Sequence, residues 1–184
     1  MILIESLKDY IEVTPQEKFI ELATKIYITT DFINNDYPDY KNWYFTKQLP
    51  GIIKNERNIL FARNPENKEE IIAIACLKKA KEEQKICTLY VSDNARGLGI
   101  GSAIIEESMK WLGTTKPFIT FPDYKLDMFK PFIEKYAWNL TEKVYGLYKD
   151  KTEELCFNGA FNKDKKDSSK HHKKLMKALN IKNW

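Results

Sequence analysis

The feature that most constrains this chain is a run of three alternating glycines between a strand-like and a helix-like segment. The apolar run Leu89-Tyr90-Val91 is followed, after four residues, by Arg96-Gly97-Leu98-Gly99-Ile100-Gly101-Ser102. Apolar residues then recur at helical spacing to about Leu112, and Gly113 is a natural helix stop. This pattern predicts a strand, a tight glycine-rich turn and the start of a helix.

A glycine-rich turn that opens a helix is suited to binding phosphate. The first helical turn has unpaired N–H groups and the positive end of the helix dipole, and Arg96 adds a positive charge beside it. A P-loop is excluded because no lysine follows the glycines. The dinucleotide fingerprint needs a glycine at position 102, where Ser102 stands. A nicotinamide enzyme is therefore a weak alternative.

Hydrophobic periodicity divides the chain up to about residue 159 into strands and helices. The charged run Lys78–Lys85 reads as an exposed turn between two strands, which predicts an antiparallel meander. The order β-α-α-β-β-β-α-β-α-β-β predicts an α+β fold. Strands are expected at Ile2–Ile4, Arg57–Arg63, Glu70–Lys78, Lys85–Ser92, Phe118–Phe121, Val144–Lys149 and Glu154–Asn158, and helices at Pro15–Tyr27, Tyr40–Gln48, from Gly101 to Leu112 and at Lys125–Tyr136.

Positive charge is concentrated at the end of the chain. Residues 162–184 contain eight lysines and two aspartates, a net charge of +6, whereas the whole chain carries +4. The first 161 residues therefore carry about −2 and do not resemble a nucleic-acid-binding surface. We predict one domain over residues 1–159 and a basic, lysine-rich tail over residues 160–184, partly helical.

Several classes of protein are disfavoured by the sequence. No apolar run approaches 18 residues, and the charged start of the chain lacks the apolar core of a signal peptide, so we expect no membrane span and a cytoplasmic location. The three cysteines have no CxxC spacing, which suits a reduced compartment. We expect no metal site, since His171 and His172 would point apart on a helix and no further ligands are evident.

The segment Arg96–Gly101 fits the pattern [Q/R]-x-x-G-x-[G/A]. It resembles motif A of the GCN5-related N-acetyltransferase (GNAT) superfamily, and Leu89–Val91 resembles the strand that leads into that motif. The resemblance extends over most of Ile2–Asn158. It implies a mixed, mostly antiparallel central sheet flanked by helices, and direct transfer of an acetyl group from acetyl-CoA to an amine.

The resemblance also implies which residues bind the co-substrate. Backbone groups of Leu89 and Val91 would pair with the pantetheine arm of acetyl-CoA, and Tyr90 would line the cleft. Backbone amides of Gly97, Leu98, Gly99, Ile100, Gly101 and Ser102, beside Arg96, would hold the pyrophosphate.

The usual catalytic tyrosine of the family has no counterpart here. Aligned with N-x-x-A-x-x-x-Y-x-x-x-G-F, the tyrosine position holds Phe132 and the asparagine position holds Lys125. Among the nearest phenols, Tyr124 and Tyr136, we select Tyr124 as the general acid because it follows the preceding strand directly. Glu83 lies 13 residues before Arg96, a spacing that resembles the glutamate base of histone-type members.

The acceptor and the partners are left open by the sequence. By resemblance, the loop with Asp36, Tyr37 and Asp39 helps to form the acceptor site, and its character suits a cationic amine of a small molecule, protein or peptide. A homodimer is compatible with the family. Phe132 favours an alternative, an acyl-CoA-binding module with little turnover, and the basic tail favours another, an RNA-directed acetylating enzyme.

Overall fold

The computed structural model describes residues 2–161, so the predicted tail from Asn162 onward lies outside the described residues. The chain divides into two compact units. Within the described residues, the first comprises residues 2–34 and 39–117, and the second comprises residues 35–38 and 118–161.

The first unit is built on four antiparallel strands in the order β1-β2-β3-β4. These are β1 (Ile4–Ser6), β2 (Arg57–Arg63), β3 (Ile71–Ala80) and β4 (Glu83–Val91). All residues from Ile71 to Leu77 are buried. Because neighbouring side chains on a strand point to opposite faces, both faces of β3 are covered.

Helices supply that cover. Their bounds are α1 (Tyr10–Val13), α2 (Gln16–Thr29), α3 (Tyr40–Trp43), α4 (Leu49–Ile53) and α5 (Ile100–Leu112), with a π-helical turn at Tyr44–Gln48 between α3 and α4. Both α2 and α5 pack against β3. The predicted helix Tyr40–Gln48 continues to Ile53, past Pro50. Proline lacks an N–H group and crowds the carbonyl four residues earlier, and the wider π turn accommodates it.

Up to residue 161, where its described part ends, the second unit contains three antiparallel strands and one amphipathic helix. The strands are β5 (Phe118–Pro122), β6 (Leu140–Tyr145) and β7 (Glu153–Phe157), and β7 pairs with both of the others. Helix α6 (Leu126–Lys135) follows β5. Its Phe129 ring stacks on Phe121, with ring centroids 4.0 Å apart. The buried side chains Phe118, Leu147, Cys156 and Phe161 form a cluster, so packing continues to Phe161, two residues beyond the predicted boundary at 159.

The predicted order of elements is confirmed, and so is the α+β class, but several boundaries were wrong. The predicted turn Lys78–Lys85 is only Lys81–Glu82, because the hairpin extends outward and Lys78 pairs with Glu83 across it. The first strand is Ile4–Ser6 rather than Ile2–Ile4. The strand expected at Val144–Lys149 is β6, which ends before Gly146, whose φ of 64° is incompatible with a continuing strand.

Tyr44 anchors the helical region of the first unit, and its loss can be measured. It is fully buried, and its hydroxyl donates a hydrogen bond to the Ala23 carbonyl of α2 at 2.8 Å. We expect Tyr44→Phe to lower the free energy of unfolding by about 1 kcal/mol and Tm by roughly 2–4 °C. Tyr145→Phe, at a phenol that is 68% exposed, is the calorimetric control and should leave Tm unchanged. Equal Tm values for the two variants would show that the buried bond contributes nothing.

Candidate functional site

The glycine-rich turn joins β4 to α5 as the sequence predicts. A short 3₁₀ turn, Asp93–Ala95, follows β4, and the chain then passes through Arg96–Gly99 into α5. Gly97 and Gly99 have φ values of 76° and 78°, and Gly99 is the N-cap of α5. This left-handed conformation strains other residues, so two of the three glycines are required by the backbone path.

The start of α5 is open toward solvent. A β-carbon added at Gly97 or Gly99 would meet no atom within 4 Å. Among the residues described, no side chain caps the helix. The N–H groups of Ile100, Gly101 and Ser102, which lie in the first turn, therefore have no intrahelical acceptor. With the positive end of the helix dipole, they form a site suited to an anion.

Arg96 stands beside this turn but is engaged by an acid. Its Nη2 atom lies 2.9 Å from Oδ1 of Asp93, and the two side chains are 52% and 89% exposed. An ion pair this exposed contributes little to stability, about 0–1 kcal/mol. The guanidinium can therefore leave Asp93 and pair with another anion at a small cost in free energy.

The end of β4 carries the other predicted binding residues. Leu89, Tyr90 and Val91 pair with residues of β3 and are half-buried. The Tyr90 ring contacts Phe32, with centroids 5.5 Å apart. Burial and the nearby Asp93 raise the pKa of Tyr90 above its ordinary value, despite the opposing charge of Arg96. Leu89–Val91 and Arg96–Ser102 thus lie on one stretch of chain, separated only by the four residues of the turn.

Glu70 and Asn94 support this segment, and the sequence did not predict that either would do so. The Asn94 amide donates to Oε1 of Glu70 at 3.3 Å, and Asn64 donates to Oε2 at 2.7 Å. Ser92 donates to the Asn94 side chain at 2.6 Å. Glu70 thereby braces the turn that precedes Arg96. An asparagine in a turn is a recognisable local signal, but its partner lies 24 residues away.

Glu83 lies at the opposite end of β4 from the glycine turn. Eight residues separate it from Val91, which corresponds to roughly 26 Å along a strand. Its carboxylate is paired with the ammonium group of Lys78. The assignment of Glu83 as a base stays a prediction.

Tyr124, the predicted acid, lies in the second unit on the 3₁₀ turn Asp123–Lys125 that follows β5. Its side chain is 56% exposed, and its hydroxyl donates a hydrogen bond to Oδ1 of Asp36. Two ammonium groups contact the same carboxylate: Lys125 Nζ lies 2.7 Å from Oδ2, and Lys149 Nζ lies 3.5 Å from Oδ1. Within this unit, folding therefore brings the predicted acid to a residue of the predicted acceptor loop.

The two partners shift each other's proton affinity in opposite directions. Partial burial, followed by the hydrogen bond to Asp36 and the charge of Asp36, raises the pKa of Tyr124 well above its ordinary 10.0. Burial alone would raise the pKa of Asp36. The hydrogen bonds from Lys125 and Tyr124 and the charges of the two lysines outweigh burial, so the pKa of Asp36 lies below its ordinary 3.8. The carboxylate is ionised, and the phenol keeps its proton.

The remaining catalytic candidates of the second unit lie elsewhere in it. Phe132, at the family's tyrosine position, is half-buried on α6. Tyr136 follows α6, and its ring lies 5.7 Å from that of Trp138. In residues 2–161, no three or more histidine, cysteine, aspartate or glutamate side chains are grouped to hold a metal ion. Over the same stretch, no helix has both the length and the apolar character needed to cross a bilayer.

The sequence around this site matches a known protein family. A profile of the acetyltransferase (GNAT) family matches residues 17–116. No curated protein sequence matches the chain. Among solved structures, one similar protein, from Desulfovibrio desulfuricans and assigned to the GNAT family, has a TM-score of 0.55 at 11% identity, over 85% of this chain and 97% of that one.

Two further structures show the same fold. Nourseothricin acetyltransferase has a TM-score of 0.51 at 12% identity over 56% of this chain, and the match covers 65% of that protein, less than two thirds of its length. A Bacillus anthracis str. Ames protein described as a streptothricin acetyltransferase, in complex with acetyl coenzyme A, has a TM-score of 0.52 at 19% identity, over 64% of this chain and 70% of that one. The family profile spans more than half of the chain and includes β4, the glycine turn and α5, and the chain therefore belongs to the acetyltransferase (GNAT) family.

Proposed function

We propose that this protein is an N-acetyltransferase that moves an acetyl group from acetyl-CoA directly to an amine. The observation that carries the proposal is the open glycine turn at the start of α5, where Gly97 and Gly99 leave room for an anion beside free backbone N–H groups. Family membership supports acetyl transfer. The similar fold of a protein in complex with acetyl coenzyme A supports the choice of co-substrate.

In this proposal the pyrophosphate of acetyl-CoA binds the backbone amides of Gly97–Ser102, and Arg96 contributes charge. Leu89, Tyr90 and Val91 border the pantetheine arm. The leaving thiol has a pKa near 8.5 and departs with little help, whereas an amine of pKa about 10.4 must first become neutral. We keep Tyr124, which is predicted as the general acid, as a residue that contacts the reacting groups. We keep Glu83 as a candidate base.

The experiment that tests this function is turnover with a panel of amines. The protein is incubated with acetyl-CoA and polyamines, peptides with free N-termini, or a streptothricin, and both thiol release and the mass of the product are followed. The proposal predicts one N-acetylated amine for each thiol released. Tight binding of acetyl-CoA without turnover across the panel would favour the alternative, an acyl-CoA-binding module. Phe132 at the family's tyrosine position is the feature that favours this alternative.

The Asp93–Arg96 ion pair should compete with the phosphates of acetyl-CoA. We expect Asp93→Asn to strengthen acetyl-CoA binding by roughly two- to fivefold at low salt, because the guanidinium is released from an exposed pair of about 0–1 kcal/mol and a nearby negative charge is lost. Calorimetric titration measures the change. Asp9→Asn removes an exposed carboxylate elsewhere in the same unit and is the control. Equal affinities for both variants would contradict competition for Arg96.

A further inference from the structure

An ion-paired cluster in the second unit fixes one acidic residue from three sides. Asp36 accepts a hydrogen bond from the Tyr124 hydroxyl and contacts the ammonium groups of Lys125 and Lys149. These partners come from two turns that lie about 90 and 110 residues further along the chain. The carboxylate therefore has a defined place and orientation.

The chain that carries Asp36 is itself anchored. The hydroxyl of the next residue, Tyr37, donates to Oε1 of Glu154 at 2.9 Å. Its ring packs edge-on against Tyr148, with centroids 4.9 Å apart. Glu154 lies on β7 and is only 4% exposed. Because a buried strand residue holds Tyr37, the backbone at Asp36 has little freedom to move.

The Tyr124 ring depends on this carboxylate for its orientation. The backbone N–H of Tyr124 bonds to Oδ1 of Asp123 at 2.9 Å, which fixes the turn but not the ring. Lys125 Nζ lies 5.8 Å from the ring centroid. A side chain more than half exposed on a short turn can sample several χ1 rotamers, and the bond to Asp36 selects one of them.

The same bond decides how the phenol can be used. A phenolic hydroxyl has one hydrogen to donate, and a hydrogen bond to a carboxylate is about twice as strong as one between neutral groups. The ordinary pKa values of the two groups are 3.8 and 10.0, so transfer of the proton to Asp36 is disfavoured by roughly 10⁶-fold. The proton therefore stays on Tyr124 and points at Asp36, and the oxygen presents its lone pairs elsewhere.

We propose that Asp36 is a positioning residue, which orients Tyr124 so that the phenolic oxygen accepts a hydrogen bond from the N–H of the acceptor amine. This inference rests on the proposed function and gives the predicted acid a different use. The hydroxyl donates a hydrogen bond to Asp36 and accepts one from the amine, so no proton is transferred to or from this residue. A neutral or protonated primary amine has the N–H groups that this role requires.

The first test is a titration that needs no activity. Ultraviolet absorbance follows tyrosine ionisation, and the difference between the wild type and Tyr124→Phe isolates Tyr124 among ten tyrosines. Asp36→Ala should lower the apparent pKa of Tyr124 toward its ordinary 10.0. The other charged groups that face the phenol or its carboxylate partner include Asp123, Glu154, Lys125 and Lys149. Asp123→Asn, which removes an equal charge without touching the hydroxyl, should change it less. An unchanged titration in Asp36→Ala overturns the proposal whether or not the enzyme turns over.

The second test is kinetic and uses an active acceptor. Tyr124→Phe and Asp36→Ala should each raise KM for the amine, by at least about tenfold and about threefold respectively, and the double variant should match Tyr124→Phe alone. Asp36→Asn, which keeps an oxygen acceptor for the phenol, should recover most of the loss and shows whether a failure of Asp36→Ala reflects folding. Effects that add independently, or a Tyr124→Phe defect cured by an acetyl donor with a more acidic thiol, would overturn the proposal and return Tyr124 to the role of acid.

Discussion

Replacement of Gly99 by aspartate is expected to weaken acetyl-CoA binding at least about 100-fold. Gly99 has a φ of 78°, caps α5, and has no atom within 4 Å of an added β-carbon. The new carboxylate would occupy the space proposed for phosphate and repel it. Losing one or two charge-assisted hydrogen bonds of about 1.5–3 kcal/mol each is sufficient for that factor. Calorimetric titration of the folded variant measures the loss.

The same helix offers a matched control at its other end. Gly113 is the C-cap of α5 and has a φ of 76°, nearly that of Gly99. Gly113→Asp introduces the same side chain with the same backbone strain, and that strain at a positive φ should lower stability. It should leave acetyl-CoA affinity within about twofold. Equal loss of binding in both variants would mean that strain rather than phosphate contact explains the effect.

Tyr124→Phe is expected to lower kcat/KM for the amine at least about tenfold, with acetyl-CoA affinity unchanged. The substitution removes one oxygen and keeps the ring, so packing is preserved. Loss of one hydrogen bond to the amine, worth about 1.4 kcal/mol, corresponds to a tenfold decrease in kcat/KM. Tyr145→Phe, the same change at an exposed phenol of the same unit that has no proposed role in the reaction, is the control. A Tyr124→Phe enzyme with wild-type kcat/KM would remove Tyr124 from the reaction.

The pH dependence of the wild type follows from the same contact. Because the pKa of Tyr124 is raised above 10.0, the phenol stays protonated below pH 10. Activity toward a lysine-like amine, which has a pKa of about 10.4, should therefore rise with pH as the amine becomes neutral, and Tyr124 should cause no decline before pH 10. An alkaline decline centred below pH 10 that disappears in Tyr124→Phe would contradict this assignment.

The glycine turn could be predicted from the sequence because its signal is local. Strand, turn and helix start occupy consecutive residues, and the positive φ at Gly97 and Gly99 is a property that glycine alone readily provides. The order of elements could be predicted for a similar reason, since period-two and helical patterns are read within short windows.

The polar contacts of the site could not be predicted in this way. Asp36 and Tyr124 are 88 residues apart, and no local pattern links a polar loop residue to an exposed tyrosine. The same holds for Glu70 and Asn94. The length of the β3–β4 hairpin was missed because its charged residues resemble a loop, although their side chains can pair across an exposed ribbon, as Lys78 and Glu83 do.

The most direct test of this account is a crystal structure of the protein with coenzyme A. We expect oxygens of the pyrophosphate to lie about 3 Å from backbone nitrogens within Gly97–Ser102, with Arg96 turned from Asp93 toward the phosphates. A complex in which the pyrophosphate binds elsewhere, leaving the turn without contact and the Asp93–Arg96 pair intact, would contradict it.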